Sequence, residues 1–164
     1  MRSLLLIITS FLAFNIGFSQ EMNAENLLRL LHQESDTLVS NGNTHQFLIN
    51  NTPLLCVFDV NANRMRIVSP IVEREKIGED ELLNALVANY HSALDVKYAL
   101  SDEIIWSVFT HPLRELTDHQ VIDAIHQVYQ AAKTFGGSYS STNLAFPGNT
   151  QKKQKELPKI LKKT

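Results

Sequence analysis

The sequence predicts an α+β fold in which helices pack on an antiparallel sheet, in the order α-β-β-β-α-β-β-α. Segments with apolar residues at every third or fourth position, as in helices, are interspersed with short segments rich in valine, isoleucine and aromatic residues, as in strands. Short turns join the strand-like segments, and such turns connect antiparallel neighbours, because parallel strands need long crossovers. The length of 164 residues suits one compact domain.

The first half of the chain is predicted to hold one helix and three strands. The helix runs from Ala24 to Asp36 and carries leucines along one face. After a break at residues 40–43, the strands cover His45–Asn50, Leu54–Val60 and Arg64–Ile71. A turn at Asn61-Ala62-Asn63 joins the last two strands, and Pro70, which lacks an N–H, is expected to stop ladder pairing.

The second half is predicted to hold a helix, two strands and a third helix. The second helix opens with acidic residues at 79–81, which the helix dipole favours, and has one face of small residues that permits close packing. Its other face is an apolar stripe of Leu82, Leu83, Leu86, Val87, Tyr90 and Leu94. Strands are predicted at Val96–Leu100 and Ile104–Thr110, and the third helix runs from Thr117 or Asp118 to Gly136-Gly137.

Two of these strands, Leu54–Val60 and Ile104–Thr110, are apolar on both sides. Both faces of the sheet therefore need a cover near them. The first and third helices can cover one face, and the second helix, a second copy of the chain or a bound partner is expected to cover the other. This surplus of apolar surface favours association, and we expect a homodimer formed through the second helix and the adjacent sheet.

The two ends of the chain differ in composition from its centre. Residues 1–19 are typical of a secretory signal peptide, with Arg2, an apolar run and a cleavage site before Gln20. Residues 20–137 form the predicted domain, and residues 138–164 a flexible, lysine-rich tail. The chain carries −2 overall, its last 14 residues +5 and Arg2 +1, which leaves −8 for residues 20–150. We expect an extracytoplasmic protein, periplasmic or secreted, without a membrane span or a nucleic-acid partner.

No arrangement of residues predicts catalysis, a cofactor or a bound metal. Cys56, the only cysteine, lies in an apolar strand, where burial raises the pKa of a thiol. The alternative is a small-ligand, metal-binding or enzymatic domain that uses His119, Asp123 and His126, which share one face of the third helix. A solvated polar face is the commoner origin of such a spacing. A third interpretation is an envelope-associated protein held by its lysine-rich tail.

Three residues are candidates for contact with a partner. Arg64 and Arg66 alternate with Met65 and Ile67, which turns both cations away from the core. They either keep an exposed strand soluble or form a rim that pairs with acids on a partner or a second subunit. Trp106, the only tryptophan, is either a core residue, the commoner role, or a binding platform.

The element order and several motifs resemble the type III secretion chaperone-like superfamily, especially its YbjN-type and Tir-chaperone (CesT-type) domains. The matching features, within residues 24–137, are the arginine-bearing strand before Ser69-Pro70, the Leu82-Leu83-Asn84 start of the second helix, the hairpin around residues 100–109 and the Leu116-Thr117 start of the third helix. The resemblance implies a small acidic domain, often a homodimer, that binds extended or helical protein segments without ATP and has no catalytic residues. With the export signal, it implies an exported, non-enzymatic member that binds another protein or peptide.

Overall fold

A computed structural model describes residues 21–142 of the chain. The helices are α1 (Ala24–Glu34), α2 (Glu79–His91) and α3 (Asp118–Thr134), with one 3₁₀ turn at Arg74–Lys76. The strands are β1 (Thr37–Asn41), β2 (Thr44–Ile49), β3 (Thr52–Asp59), β4 (Arg64–Glu73), β5 (Lys97–Ser101) and β6 (Ile104–His111). The predicted signal peptide, and the predicted tail from residue 143 onward, lie outside the described residues. No helix between residues 21 and 142 is long and apolar enough to cross a membrane.

The six strands form one antiparallel sheet in the order β1-β2-β3-β4-β6-β5. Helices α1 and α3 pack against each other on one side of this sheet, with α3 lying across β4 and β6. The predicted α+β class, with helices packed on an antiparallel sheet, is confirmed. The core lies between this pair of helices and the sheet.

Alternation along the strands divides their side chains between the core and the opposite face. On β4, Met65 and Ile67 are buried, whereas Arg64 and Arg66 are exposed, as predicted. Helix α3 lies close to the sheet because a small residue, Ser107, faces it and donates a hydrogen bond to the carbonyl of Val128 at 2.9 Å. Helix α3 is thereby held on one side of the sheet. The other side of the central strands carries none of the described helices.

The sheet has one more strand before α2 than the sequence predicted. The break placed at residues 40–43 contains the end of β1 and the two-residue loop Gly42-Asn43, which joins β1 to β2 in a hairpin. Gly42 has a φ of +56°, a backbone conformation that glycine adopts without steric cost. The predicted stop at Pro70 is also wrong, because β4 continues to Glu73 through a register shift between Pro70 and Val72.

Helix α2 packs against the edge strand β5 and buries its small residues. Ala85 and Ala88 are each 4% exposed and join the core, in the close packing that a face of small residues permits. The leucine-rich stripe faces outward instead, and Tyr90 is 87% exposed. Helix α2 therefore does not cover the second face of the sheet, and it leaves an apolar surface of its own.

The chain after α3 stays attached to the domain for several residues. The predicted boundary falls after residue 137, but Tyr139 and Ser141 are buried. The backbone N–H of Ser141 donates to the carbonyl of Ser92 at 3.2 Å, and the hydroxyl of Ser92 donates to the carbonyl of Tyr139 at 2.7 Å. The described chain thus ends beside the C-terminal end of α2.

Candidate functional site: the open face of the sheet

The side of the sheet opposite α1 and α3 carries apolar side chains that no helix within residues 21–142 covers. We call this surface the open face. Strand register aligns its residues in rows across the sheet. One row runs from Val39 through Gln46, Leu55 and Val68 to Val108. Val39 is 68% exposed, and the other three apolar residues of the row, Leu55, Val68 and Val108, are half-buried. Apolar surface left uncovered on this scale is typical of a binding face.

Trp106 lies on the open face and not in the core. Its register partners are Pro70 on β4 and Ala99 on β5, and its side chain is half-buried. The indole N–H donates to the carbonyl of Ser101 at 3.1 Å, so the polar end of the ring is satisfied within the hairpin. The apolar body of the ring remains available for contact.

A shallow groove of about 380 Å³ crosses the open face from β1 to Trp106. Its walls are apolar except for threonine and glutamine side chains near the edge of the sheet. The residues that line it are Thr37, Val39, Gln46, Phe47, Leu48, Pro53, Leu54, Leu55, Pro70 and Trp106. A groove of this kind suits the apolar side chains of a protein segment better than it suits a polar metabolite.

Arg64 and Arg66 lie on the open face toward the other end of these strands, beyond the groove. The guanidinium of Arg66 donates to the hydroxyl of Thr110 at 3.3 Å, and that of Arg64 donates to the carbonyl of Asn63 at 3.0 Å. Neither forms an ion pair within residues 21–142. Arg66 lies beside Val57, and Arg64 lies opposite Asp59 in the strand register. Arg64, Arg66 and Trp106, predicted separately, share one face.

The alternative site on α3 does not assemble. His126 pairs with Glu34 on α1 at 2.9 Å. Asp123 accepts a hydrogen bond at 2.7 Å from the amide of Gln127, and that amide also reaches Asp95 at 3.2 Å. Asp123 lines a second pocket of about 430 Å³. Neither His119 nor His126 lines that pocket. Within the described part of the chain, no group of three or more histidine, cysteine or acidic residues is arranged to hold a metal ion.

The cysteine has the environment expected from the sequence. Cys56 is fully buried on β3, and burial raises the pKa of its thiol to about 12. A thiol with this pKa is protonated at neutral pH and is a poor nucleophile.

The sequence did not reveal the part of the groove that lies on β1. Thr37 and Val39 belong to a short strand that is mostly exposed, so it lacks the alternation that marks a half-buried strand. The available signal was the Gly42-Asn43 pair, a dipeptide that suits a two-residue hairpin loop.

No protein-family model matches the sequence, and no curated protein matches it significantly. Solved structures do match its fold. One is the HopA1–SchA chaperone–effector complex, with 16% identity, a TM-score of 0.52, and coverage of 69% of this chain and 96% of the matched chain.

Two further structures give the same TM-score of 0.52 at 13% identity. One is the ExsC–ExsE complex, with 66% of this chain and 90% of the matched chain covered. The other is the Yersinia pestis type III secretion chaperone SycH in complex with a stable fragment of YscM2, with 68% of this chain and 98% of the matched chain covered. The chain therefore has a type III secretion chaperone-like fold, which confirms the resemblance at the level of fold.

Proposed function

We propose that the chain is an exported, non-enzymatic, chaperone-like domain that binds a segment of another protein on the open face. The observation that carries this proposal is the groove bounded by Leu55 and Trp106, on the side of the sheet opposite the packed helices α1 and α3. The similar structures support it, since they include a chaperone–effector complex and a type III secretion chaperone with a bound protein fragment.

The chemistry of the surface specifies the kind of segment. Leu48, Leu55 and Trp106 offer apolar contact in the groove, and Arg64 and Arg66 offer two cations farther along the same face. A complementary segment carries apolar side chains for the groove and carboxylates for the arginines. Apolar contact supplies most of the affinity in this arrangement, and the charges set orientation and association rate.

Two features support a role without catalysis. The Cys56 thiol is buried and protonated, and His126 is engaged with Glu34. Binding on the open face requires no proton transfer and no ATP.

The homodimer is the second part of the proposal. The exposed stripe of α2, which we call the α2 face, consists of Leu83, Leu86, Val87 and Tyr90. The four side chains lie on the outer side of a helix whose opposite side is already buried, so a second copy can pack against them without disturbing the core. Light scattering across a range of concentrations tests this part, and a strict monomer would refute it.

Export is the third part of the proposal and rests on residues 1–19. Fractionation of cells that make the protein tests it. We expect a chain shortened by about this length outside the cytoplasm, and a full-length cytoplasmic chain would contradict it.

Trp106 offers a direct test of the binding site, because it is the only tryptophan of the chain and it lines the groove. Proteins captured from the exported fraction by the wild-type chain should change the emission of Trp106 when they are added to it. Leu55→Asp places a charge in the groove and should abolish both capture and the emission change. Leu28→Asp, on the exposed side of α1, is the matched control and should preserve both. Equal capture by all three proteins would contradict binding on the open face.

A further inference from the structure

The α2 face combines apolar and acidic character. Leu83 and Val87 are each 51% exposed, Leu86 is 65% exposed and Tyr90 is 87% exposed. The first turn of the same helix carries three acids at residues 79–81. Glu79 pairs with Arg74 and Glu81 accepts from the Gly78 N–H, so Asp80 is the one of the three with neither contact among the described residues. A segment that complements this surface must supply both large apolar side chains and positive charge.

The last described residues of the chain lie near this surface. Tyr139 and Ser141 are hydrogen-bonded to Ser92, the residue that caps the C-terminal end of α2. The 22 residues from 143 to 164 therefore continue from a point beside one end of the α2 face.

The C-terminal segment, residues 151–164, has the required composition. It contains six lysines and one glutamate, and Leu157, Ile160 and Leu161 lie among the lysines. The 14 residues between Thr142 and Leu157 can span up to about 45 Å, whereas the 13 residues of α2 extend only about 20 Å. The segment can thus reach any position on the α2 face.

We propose that the C-terminal segment docks on the α2 face of its own chain. Its apolar side chains cover Leu86, Val87 and Tyr90, and its lysines lie near the acids of the first turn. Attachment to the same chain favours this contact, because a tethered segment has an effective concentration in the millimolar range.

The docked segment regulates association, and this consequence rests on the proposed homodimer. The same face cannot bind the segment and a second copy at once. If the segment occupies each face nine-tenths of the time, dimerisation weakens about a hundredfold, because both copies must release it.

The docking step is tested on the chain from Gln20 onward, with a spin label at Thr164→Cys. Cys56 is fully buried, so the label reacts at position 164 alone. We expect paramagnetic broadening of the amide signals of α2 in an isotope-labelled, spin-labelled chain. A mixture of isotope-labelled chain and unlabelled spin-labelled chain should show none, because the contact is intramolecular.

Three results would overturn the docking. These are unbroadened α2 amides, broadening in the mixed sample alone, and a segment that binds anionic vesicles while the α2 signals stay unchanged. The variant Leu157→Ser/Ile160→Ser/Leu161→Ser should remove the broadening, and a variant that retained it would also count against the proposal.

The regulatory step is measured separately by analytical ultracentrifugation of the full chain and of the triple serine variant. We expect the variant to dimerise about a hundredfold more tightly. Equal dimerisation of the two proteins would refute regulation. If both remained monomeric while the α2 signals broadened, the proposed homodimer would fail and the docking would stand.

Discussion

The side chain of Asn89 on α2 is hydrogen-bonded to both backbone groups of Tyr98 on the edge strand β5. It accepts from the Tyr98 N–H at 2.7 Å and donates to the Tyr98 carbonyl at 3.1 Å. One amide thus takes the place of a neighbouring strand at the outer side of β5. The contact protects this edge against pairing with another chain, and it orients α2 with Ala85 and Ala88 inward.

Replacing Asn89 with alanine should destabilise the domain by about 2 kcal/mol, because two hydrogen bonds are lost and two part-buried backbone groups of Tyr98 remain without them. The free edge should also increase aggregation. Urea unfolding measures the first effect and light scattering at rising concentration the second. Gln130→Ala on α3 is the control, and an equal loss of stability in both variants would mean that Asn89 has no special role.

Acid should destabilise the domain through His45. The side chain is buried on β2, stacks on Phe58 and bonds to the hydroxyl of Ser40 at 2.8 Å, and its Nε2 has no partner among the described residues. Burial lowers its pKa below the ordinary value of 6.5. Between the folded and unfolded pKa values the unfolded chain binds more protons, so the free energy of unfolding falls as the pH drops below about 6.5.

The measurement is the urea midpoint between pH 8 and pH 5. The wild type should lose stability over this range, and His45→Phe should lose less. His119→Gln, which changes an exposed histidine, should follow the wild type. A pH dependence of the His45→Phe protein identical to that of the wild type would exclude His45 as the cause.

Ser107 sets the distance between β6 and α3. Its hydroxyl bonds to the Val128 carbonyl in a fully buried position. Ser107→Ala should cost about 1 kcal/mol of stability for the lost hydrogen bond. Ser107→Leu should cost about 3 kcal/mol or more, because a larger side chain pushes the helix off the sheet. Thermal unfolding would contradict this account if the leucine variant were the more stable of the two.

Strand periodicity identified β3 and β4 and the face on which Arg64 and Arg66 lie, because alternation directly records which side of a sheet is buried. It could not show which side of α2 is buried. One face of α2 carries large apolar residues and the other carries small residues, and either face could pack against the domain. The Asn89–Tyr98 contact and the close approach allowed by Ala85 and Ala88 determine which face of α2 is buried. Both are tertiary contacts, which the local sequence pattern does not record.

The location of Trp106 was also beyond the sequence. Strand β6 has large apolar residues at neighbouring positions, so Ile105 and Trp106 are equally good candidates for the core. The structure turns Ile105 inward, where it is 2% exposed, because Ser107 two residues later must face α3. Side-chain size alone pointed to the wrong residue, and the contact of a small serine with the helix fixes the register.

Replacing Arg64 and Arg66 with alanine should leave folding almost unchanged and weaken partner binding. Neither guanidinium forms an ion pair among the described residues, so the loss of stability should stay within about 0.5 kcal/mol. Binding of a partner with carboxylates should weaken most at low ionic strength, since salt screens exposed charges.

Arg114→Ala/Lys133→Ala removes the same charge elsewhere and is the control. The two double variants are compared by melting temperature and by titration with a captured partner at low and high salt. An equal loss of affinity in both would mean that net charge matters and that the arginines of the open face do not contact the partner.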